Sequence, residues 1–228
     1  MINVDEVYQD CRRLLSKDKA GYFSNEEFNR FSIMAEQMLW RFYVKHFEEH
    51  GLFADSMIPF NKVSVRSLDA NNRFTLPSDF GRRNILWRRK VTNSVGGPTI
   101  SNTKIQYLEK EELQDTLDSA VRGPNLAKER FYWTFVNGGA QVYPTFTGPV
   151  ELDYIRNPTY ATRAVTDDPD NMEEVYDSAN STNYEWFENE RPNIVDLILM
   201  QYGIVLRESD VVQFAQSQGI VNQQIKQL

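Results

Sequence analysis

The chain has 228 residues, of which 41% are hydrophobic, 13% aromatic and 25% charged, and its formal net charge is −7 at pH 7. This length accommodates one or two domains with a hydrophobic core, and the aromatic content argues against a disordered chain. The negative charge disfavours wide electrostatic binding to a nucleic-acid backbone, which requires a basic surface, although it is compatible with a protein that surrounds DNA without gripping it.

Two helices are predicted at the N-terminal end. Residues 3–16 carry apolar side chains at i, i+3, i+4 and i+7, a spacing typical of a short amphipathic helix. Ser24 then has the position of an N-cap, and Glu27, three residues later, completes a capping box. The second helix is expected to run to about Glu49, because Gly51 is a natural stop.

The second helix carries apolar residues on two sides. One broad stripe includes Met38 and Phe42 and predicts the face packed on the core. A second stripe, nearly opposite, lies either against the β region of the same chain or against a neighbouring subunit, since an exposed stripe of this kind is an aggregation liability. We take it as the predicted subunit interface, and its members are Ile33, Trp40, Val44 and Phe47.

Residues 59–165 have the pattern of a β-rich domain. Apolar and polar residues alternate over several short runs that end at proline or glycine, as strands do. An Asn137-Gly138 pair between two aromatic runs predicts a tight hairpin over residues 131–143, because these residues tolerate a positive φ. Further strands are expected near 63–68, 73–77, 84–91, 99–107 and 150–155, with a short helix over 109–121.

Residues 166–190 contain nine acidic residues and no lysine or arginine, together with four aromatic residues. A plain disordered linker rarely carries so many aromatics, so we interpret the segment as an acidic extended loop or arm with an anchored end. Trp186 and Phe187 are its predicted docking residues toward a partner. The alternative is a solvated surface loop.

Residues 191–228 are predicted to be helical again. Pro192 suits a first helical turn, and the stretch 194–202 is apolar nearly all round, so this helix should be central. Gly203 is expected to end it, and a last helix should begin at about residue 209.

The elements together predict an α+β fold. Residues 1–58 and 191–228 are expected to form a helical bundle. An antiparallel β-rich domain of sandwich or barrel type, residues 59–165, is inserted between them, followed by the acidic segment 166–190.

One basic cluster surrounds a predicted strand. Alternation along the strand places Arg88 and Lys90 on one face and Arg89 on the other. The cluster is a candidate docking surface for an acidic partner, such as the acidic segment of an adjacent copy. The alternative is a charged edge strand that blocks unwanted pairing. The residues are Arg82, Arg83, Arg88, Arg89 and Lys90.

The chain shows no convincing catalytic, cofactor or metal motif. His46 and His50 are four residues apart on a helix, but no third ligand is suggested and the glutamate of the zinc-peptidase pattern is missing. A calcium-loop pattern over residues 16–27 lacks two ligand positions. Cys11 is the sole cysteine, there is no phosphate-binding glycine loop, and no apolar run approaches the roughly 20 residues of a membrane span. The first residues also lack the pattern of a signal peptide.

Several short segments, in this order along the chain, carry a family resemblance. They are LPSDF at 76–80, VYP at 142–144, VELDYIRNP at 150–158 and GIVLRESD at 203–210, framed by terminal helices. In this arrangement the chain resembles the neck proteins of tailed bacteriophages, also called head-to-tail connector, adaptor or ring proteins, of the podovirus type and including the crAss-like group.

The resemblance implies a virion protein, made in the host cytoplasm, that assembles with copies of itself below the portal. The implied ring is usually twelve-fold and surrounds the DNA channel without specific DNA contacts. Its implied partners are the portal and other neck or tail proteins, with no catalytic residue, cofactor or membrane. Two other functions stay open from the residues alone: a monomeric protein-binding module, and a hydrolase that uses scattered carboxylates.

Overall fold

A computed structural model describes residues 1–17, 24–51, 53–94, 97–167 and 174–206. The chain forms two compact units by its internal contacts. We call them the helical unit, Met1–Pro59 with Pro158–Leu228, and the sheet unit, Phe60–Asn157. The fold is mixed α+β, with helices near both ends of the described chain and a large, nearly closed β-sheet between them.

The two N-terminal helices are α1, Val4–Lys17, and α2, Asn25–His50. The predicted capping box is present: the Ser24 hydroxyl accepts the Glu27 N–H at 3.2 Å, and the Glu27 carboxylate accepts the Ser24 N–H at 2.9 Å. These two bonds satisfy backbone donors that the first helical turn leaves free. Gly51 ends α2 with φ 66°, a left-handed conformation that glycine adopts at little cost.

The helix near the end of the described chain, α4, spans Arg191–Leu206. The prediction that Gly203 ends this helix is wrong, because α4 continues for a further turn with Gly203 buried inside it. Burial overrides the intrinsic helix cost of glycine, which is about 1 kcal/mol. Tyr202 of α4 contacts Phe31 of α2 edge to face at 5.9 Å, so the two helices pack together. The predicted last helix lies outside the described residues.

The segment that follows Pro158 completes the helical unit. It contains a small hairpin of β8, Val165–Asp167, and β9, Glu174–Tyr176. Tyr184 then forms a backbone bridge with Ile2, which ties the segment to the beginning of the chain. Tyr184, Trp186 and Glu190 are fully buried, so this part of the predicted acidic arm belongs to the core of the helical unit.

The sheet unit is built on seven strands: β1 (Asn61–Ser67), β2 (Arg73–Thr75), β3 (Phe80–Ser94), β4 (Gly97–Tyr107), β5 (Tyr132–Val136), β6 (Gly139–Tyr143) and β7 (Pro149–Arg156). They lie in the order β1-β7-β3-β4-β5-β6-β2. Strands β1 and β2 are its two edges and approach each other, which makes the sheet nearly closed. All neighbouring strands are antiparallel except β4 and β5, which pair in parallel over two residues and so depart from the expected antiparallel pattern. The short helix α3, Lys110–Leu117, lies between β4 and β5 in the chain.

Register places the apolar residues of the sheet on its inner face. Leu86 lies opposite Ile105 on β4 and Leu152 on β7, and all three are buried. Trp133 of β5 packs in the same core. The predicted Asn-Gly hairpin joins β5 and β6, with Gly138 at φ 74°.

None of the described helices combines the length and hydropathy that crossing a bilayer would require.

Candidate subunit interface

The predicted interface stripe of α2 is largely covered by the chain itself. Ile33, Trp40 and Phe47 are half-buried, and Val44 is buried. On this side of the helix, Phe47 contacts Phe53 edge to face at 5.9 Å. Val44 is buried within the chain and therefore leaves the predicted interface. The sequence shows that a helix face is apolar but not which segment covers it.

A different row of α2 residues is exposed. Met34, Met38 and Phe42 follow one another at intervals of four and are 39%, 38% and 40% exposed. We call this row the Met–Phe stripe. The sequence pattern assigns Met38 and Phe42 to the core face, but they lie at its edge, where packing stops. Three large apolar side chains aligned on one helix face form a candidate contact surface.

Exposed glutamates, Glu27, Glu48 and Glu49, lie toward the two ends of α2, but the exposed charges along the middle of the helix are basic. Between residues 28 and 47 they are Arg30, Arg41 and Lys45. The single acidic residue of that interval, Glu36, is fully buried on another side of the helix. Lys45 lies 3.6 Å from Glu49 in an exposed pair, which has little energetic value. We call these three cations the basic flank.

Glu36 fastens the other side of α2 to the segment after Pro158. Its Oε2 accepts the Ala161 N–H at 2.7 Å. Burial raises the pKa of this carboxyl to about 8, and the hydrogen bond from the Ala161 N–H offsets part of the increase. Glu36 thus holds backbone in place inside the helical unit.

Arg163 anchors the base of the β8–β9 hairpin. It is 5% exposed, and its guanidinium donates to Asp5 at 2.8 Å and to Asn25 at 3.0 Å. The same group lies 4.0 Å from the centroid of the Tyr8 ring and 5.5 Å from that of Tyr176. A buried guanidinium with ionic, amide and aromatic partners fixes where the hairpin leaves the unit. Sequence reasoning missed this residue, which has no local pattern around it.

The hairpin and its flanks are strongly acidic. Residues 165–177, which we call the acidic hairpin, contain six acidic residues and no basic one. In the register of the two strands Asp167 lies opposite Glu174, and Val175 is 48% exposed. Residues 168–173 lie outside the described residues. The hairpin therefore combines a high negative charge with an exposed apolar side chain.

Two members of the predicted basic cluster lie over aromatic rings. Arg83 lies over the Tyr107 ring, 3.4 Å from its centroid, and Arg88 lies 4.9 Å from the centroids of Phe131 and Phe146. These two guanidinium groups cover aromatic side chains of the sheet core. Of the predicted docking residues Arg82, Arg83, Arg88, Arg89 and Lys90, Arg82 and Lys90 are exposed and the others are half-buried.

The two predicted docking residues of the acidic segment have different surroundings. Trp186 is fully buried, and its ring lies 5.7 Å from that of Tyr43. Trp186 therefore leaves the predicted docking surface, because it belongs to the core of the helical unit. Phe187, the next residue, is 41% exposed and stays available.

The outer face of the sheet exposes a second apolar surface. Val63 and Val65 of β1 are 60% and 48% exposed. Val65 lies opposite Glu151 of β7, which in turn lies opposite the half-buried Trp87 of β3. This row is on the face away from Leu86 and the core. The sheet unit thus has an exposed apolar surface of its own, distinct in chemistry from the Met–Phe stripe.

Among the described residues, no group of three or more His, Cys, Asp or Glu side chains is placed to hold a metal ion. The His46 and His50 rings are 4.6 Å apart on the last turns of α2. Glu27, the last position of the calcium-loop pattern, is engaged in the helix cap, and the middle of that pattern lies outside the described residues.

The sheet unit has a polar cleft of about 460 Å³ between α3 and the strands β4 and β5. Glu112 and Asp115 line one part of it. Arg130 donates to the Val121 carbonyl, and the Tyr132 hydroxyl donates to the Arg122 carbonyl at 2.8 Å. These donors hold the neighbouring loop in place.

Compared with known proteins, the chain matches no protein-family model and no curated protein. The exposed surfaces described above therefore carry the proposed function.

Proposed function

We propose that this protein is a structural ring subunit of the neck of a tailed bacteriophage. It lies between the portal and the tail, seals or extends the DNA channel, and acts by assembly without catalysis. One observation carries the proposal: each unit leaves an apolar surface exposed, the Met–Phe stripe on the helical unit and the Val63–Val65 face on the sheet unit. A closed ring is built from heterologous contacts, which require two different surfaces on every subunit.

The order of elements supports the same function. The segments that resemble neck proteins occur in a chain whose helical unit is assembled from both ends, with the sheet unit inserted between them. We infer that α1, α2 and α4 belong to the helical bundle of such a ring subunit. The ring is expected to contain about twelve copies, to match the portal.

The charge distribution fits a channel that lets DNA pass. The net charge is −7, and a negative lumen does not retain DNA by phosphate contacts. In the sheet unit, Arg83 and Arg88 are stacked on aromatic rings, which leaves less of their basic surface for a polyanion. Weak binding to DNA is therefore expected at physiological salt.

The proposal is tested by measuring the mass of the assembly. The protein alone, and mixed with the portal protein of the same particle, is examined by mass photometry and electron microscopy. For a 26.6 kDa chain, a ring of about twelve copies adds roughly 320 kDa to the portal. A protein that stays monomeric with its portal, and that is absent from the neck of intact particles, contradicts a ring function and favours a monomeric binding module.

A further inference from the structure

The hairpin of β3 and β4 extends beyond the rest of the sheet. The register of β3 with β7 ends at Arg88, which lies opposite Val150, and β4 pairs with β5 only over its last two residues. In the part of the chain that the structure describes, residues 89–94 of β3 therefore pair only with β4, and residues 97–104 of β4 pair only with β3. We call these residues the β-ribbon. The backbone N–H groups along its two outer edges have no strand partner there.

The β-ribbon is basic in an acidic protein. Residues 80–108 contain six basic residues and no acidic one, whereas the whole chain has a net charge of −7. Three of these cations, Arg89, Lys90 and Lys104, belong to the ribbon. Lys90 and Lys104 are exposed, and the Nε atom of the half-buried Arg89 has no hydrogen-bond partner. None of the three side chains forms an ion pair with a residue that the structure describes.

The nearest acidic residue in the strand register is Glu151 of β7. It lies opposite Trp87 of β3, which in turn lies opposite Lys104 of β4. Two strand spacings, about 10 Å, therefore separate Glu151 from Lys104, a distance at which salt screens exposed charges. Asp153 lies two residues further from the ribbon along β7 and accepts a hydrogen bond from Asn84 at 3.1 Å. One carboxylate at the base of the ribbon thus leaves its three cations unneutralised.

The described side chains around these cations are mainly polar. Lys90 lies opposite Ser101, and Arg89 lies opposite Asn102, and both of these polar residues are exposed. Ile100, which is 49% exposed, is the only large apolar side chain exposed among the ribbon side chains that the structure describes. A protein-binding surface usually has an apolar centre with a charged rim, which this ribbon lacks. Contacts to phosphates come from arginine, lysine, serine, threonine and asparagine side chains and from backbone N–H groups, all of which the ribbon offers.

We propose that the β-ribbon binds the phosphate backbone of double-stranded DNA without reading its sequence. A two-stranded ribbon is an element that the major groove of DNA, about 12 Å wide, admits. Alternation along the strands places Arg89 and Lys104 on one face of the ribbon and Lys90 on the other, so cations are available to phosphates on both sides. This inference goes beyond the proposed ring function and does not depend on ring formation.

The number of cations sets the strength of the contact. The slope of log K against log salt concentration is about −0.9 for each phosphate neutralised, so three contacts give a slope of about −2.7. The affinity is expected to fall about 40-fold between 50 and 200 mM salt. Such a contact is weak at physiological salt and lets DNA move past the protein. Fluorescence anisotropy of the full chain with a short labelled DNA duplex measures the slope, and duplexes of unrelated sequence should bind alike.

Neutral substitutions in the ribbon test the assignment. Lys90→Gln and Lys104→Gln should each reduce the magnitude of the salt slope by about 1. The two changes combined with Arg89→Gln should abolish binding at 50 mM salt. Lys90→Arg retains the charge and should retain the wild-type slope. Circular dichroism verifies that each variant is folded.

A matched control removes the same charge elsewhere. Arg41→Gln, Lys45→Gln and Lys128→Gln together neutralise three exposed cations outside the ribbon. This control variant should keep the wild-type affinity and salt slope. If it loses binding as fully as the triple ribbon variant does, the net charge of the chain governs binding and the assignment to the ribbon is overturned.

Two further outcomes would overturn the proposal. One is the absence of DNA binding by the folded wild-type protein at 50 mM salt. The other is equal affinity for a poly-glutamate peptide of the same charge as the duplex, which would favour an acidic protein partner. Ring assembly with the portal is measured separately, and the triple ribbon variant should still assemble. Absence of wild-type rings would overturn the proposed function while leaving DNA binding by the ribbon in place.

Discussion

The helical unit and the sheet unit are stabilised in different ways. Among the described residues, the buried charged side chains, Glu36, Arg163 and Glu190, all belong to the helical unit. The core of the sheet unit is an apolar and aromatic cluster around Trp133 and Leu86. In the sheet unit, backbone pairing between strands positions the core residues. In the helical unit, side-chain hydrogen bonds join segments that are more than 100 residues apart in the chain.

Glu190 illustrates the directional kind of packing. Its Oε1 accepts from the Tyr43 hydroxyl at 2.7 Å and from the Ser56 hydroxyl at 2.6 Å, and its Oε2 accepts from the Asn193 amide at 2.7 Å. Arg191, the next residue, donates to Asp10 of α1 at 2.6 Å. A buried carboxylate is tolerated only with such partners, so these bonds specify how distant segments meet. The comparison implies that the helical unit is the more sensitive of the two to polar substitutions.

The largest effects are expected from removing one buried tryptophan in each unit. Trp186→Ala and Trp133→Ala should each lower the free energy of unfolding by about 3–5 kcal/mol, because both side chains are fully buried. Hydrogen exchange with mass spectrometry should show the greatest loss of protection in the unit that carries the substitution. If either variant lost protection from hydrogen exchange equally in both units, the two units would not differ in how they are stabilised.

The pH dependence of stability should differ between wild type and Glu36→Gln. The raised pKa of about 8 means that the folded state retains a proton that the unfolded state releases near pH 4.5, so stability decreases as pH rises through the folded value. Between pH 6.5 and 8.5 the wild type should lose about 2 kcal/mol from this group. Denaturant unfolding at the two pH values measures the loss.

In Glu36→Gln the decrease in the free energy of unfolding between pH 6.5 and 8.5 should largely disappear. Glu151→Gln, on the sheet unit, is the matched control and should keep the wild-type dependence. An unchanged pH dependence in Glu36→Gln would show that another group titrates.

Smaller decreases in the free energy of unfolding, of similar size in the two units, are expected from one substitution at a helix cap and one in a turn. Ser24→Ala removes the capping box of α2 and should cost about 1 kcal/mol. Gly138→Ala places a side chain at φ 74° in the β5–β6 turn and should cost about 1 kcal/mol. Urea unfolding measures both, and a loss below about 0.3 kcal/mol at either position would contradict its assigned conformation.

The smallest effect on stability is expected on the Met–Phe stripe. Met38→Gln should change the free energy of unfolding by no more than about 0.5 kcal/mol, since the side chain is already partly exposed. The same variant should weaken ring formation, measured by mass photometry with the portal. A large loss of stability would mean that Met38 is a core residue after all.

Local sequence patterns predicted a large part of the fold. The capping box at Ser24, the stop at Gly51 and the hairpin at Gly138 were all predicted from short-range chemistry and are present. Gly203 shows the limit of such patterns, because α4 continues through it where burial outweighs local propensity. The parallel pairing of β4 with β5 likewise depends on partners that are distant in the chain.

The candidate contact surfaces were less predictable. Periodicity indicated that α2 is apolar on two sides, but Val44 is buried and Phe42 exposed, the reverse of the expected roles. The pattern of one helix carries no information about which segments cover it. Trp186 was assigned to a docking surface for the same reason, and only its packing on Tyr43 identifies it as core.

The sequence by itself determined several helix caps, turns and strand positions, because caps, glycines and alternation act over a few residues. The tertiary structure decided which apolar faces stay exposed and where Arg163 and Glu36 fasten distant segments. Burial is a property of the whole fold: a side chain is covered or exposed according to residues that can be more than 100 positions away.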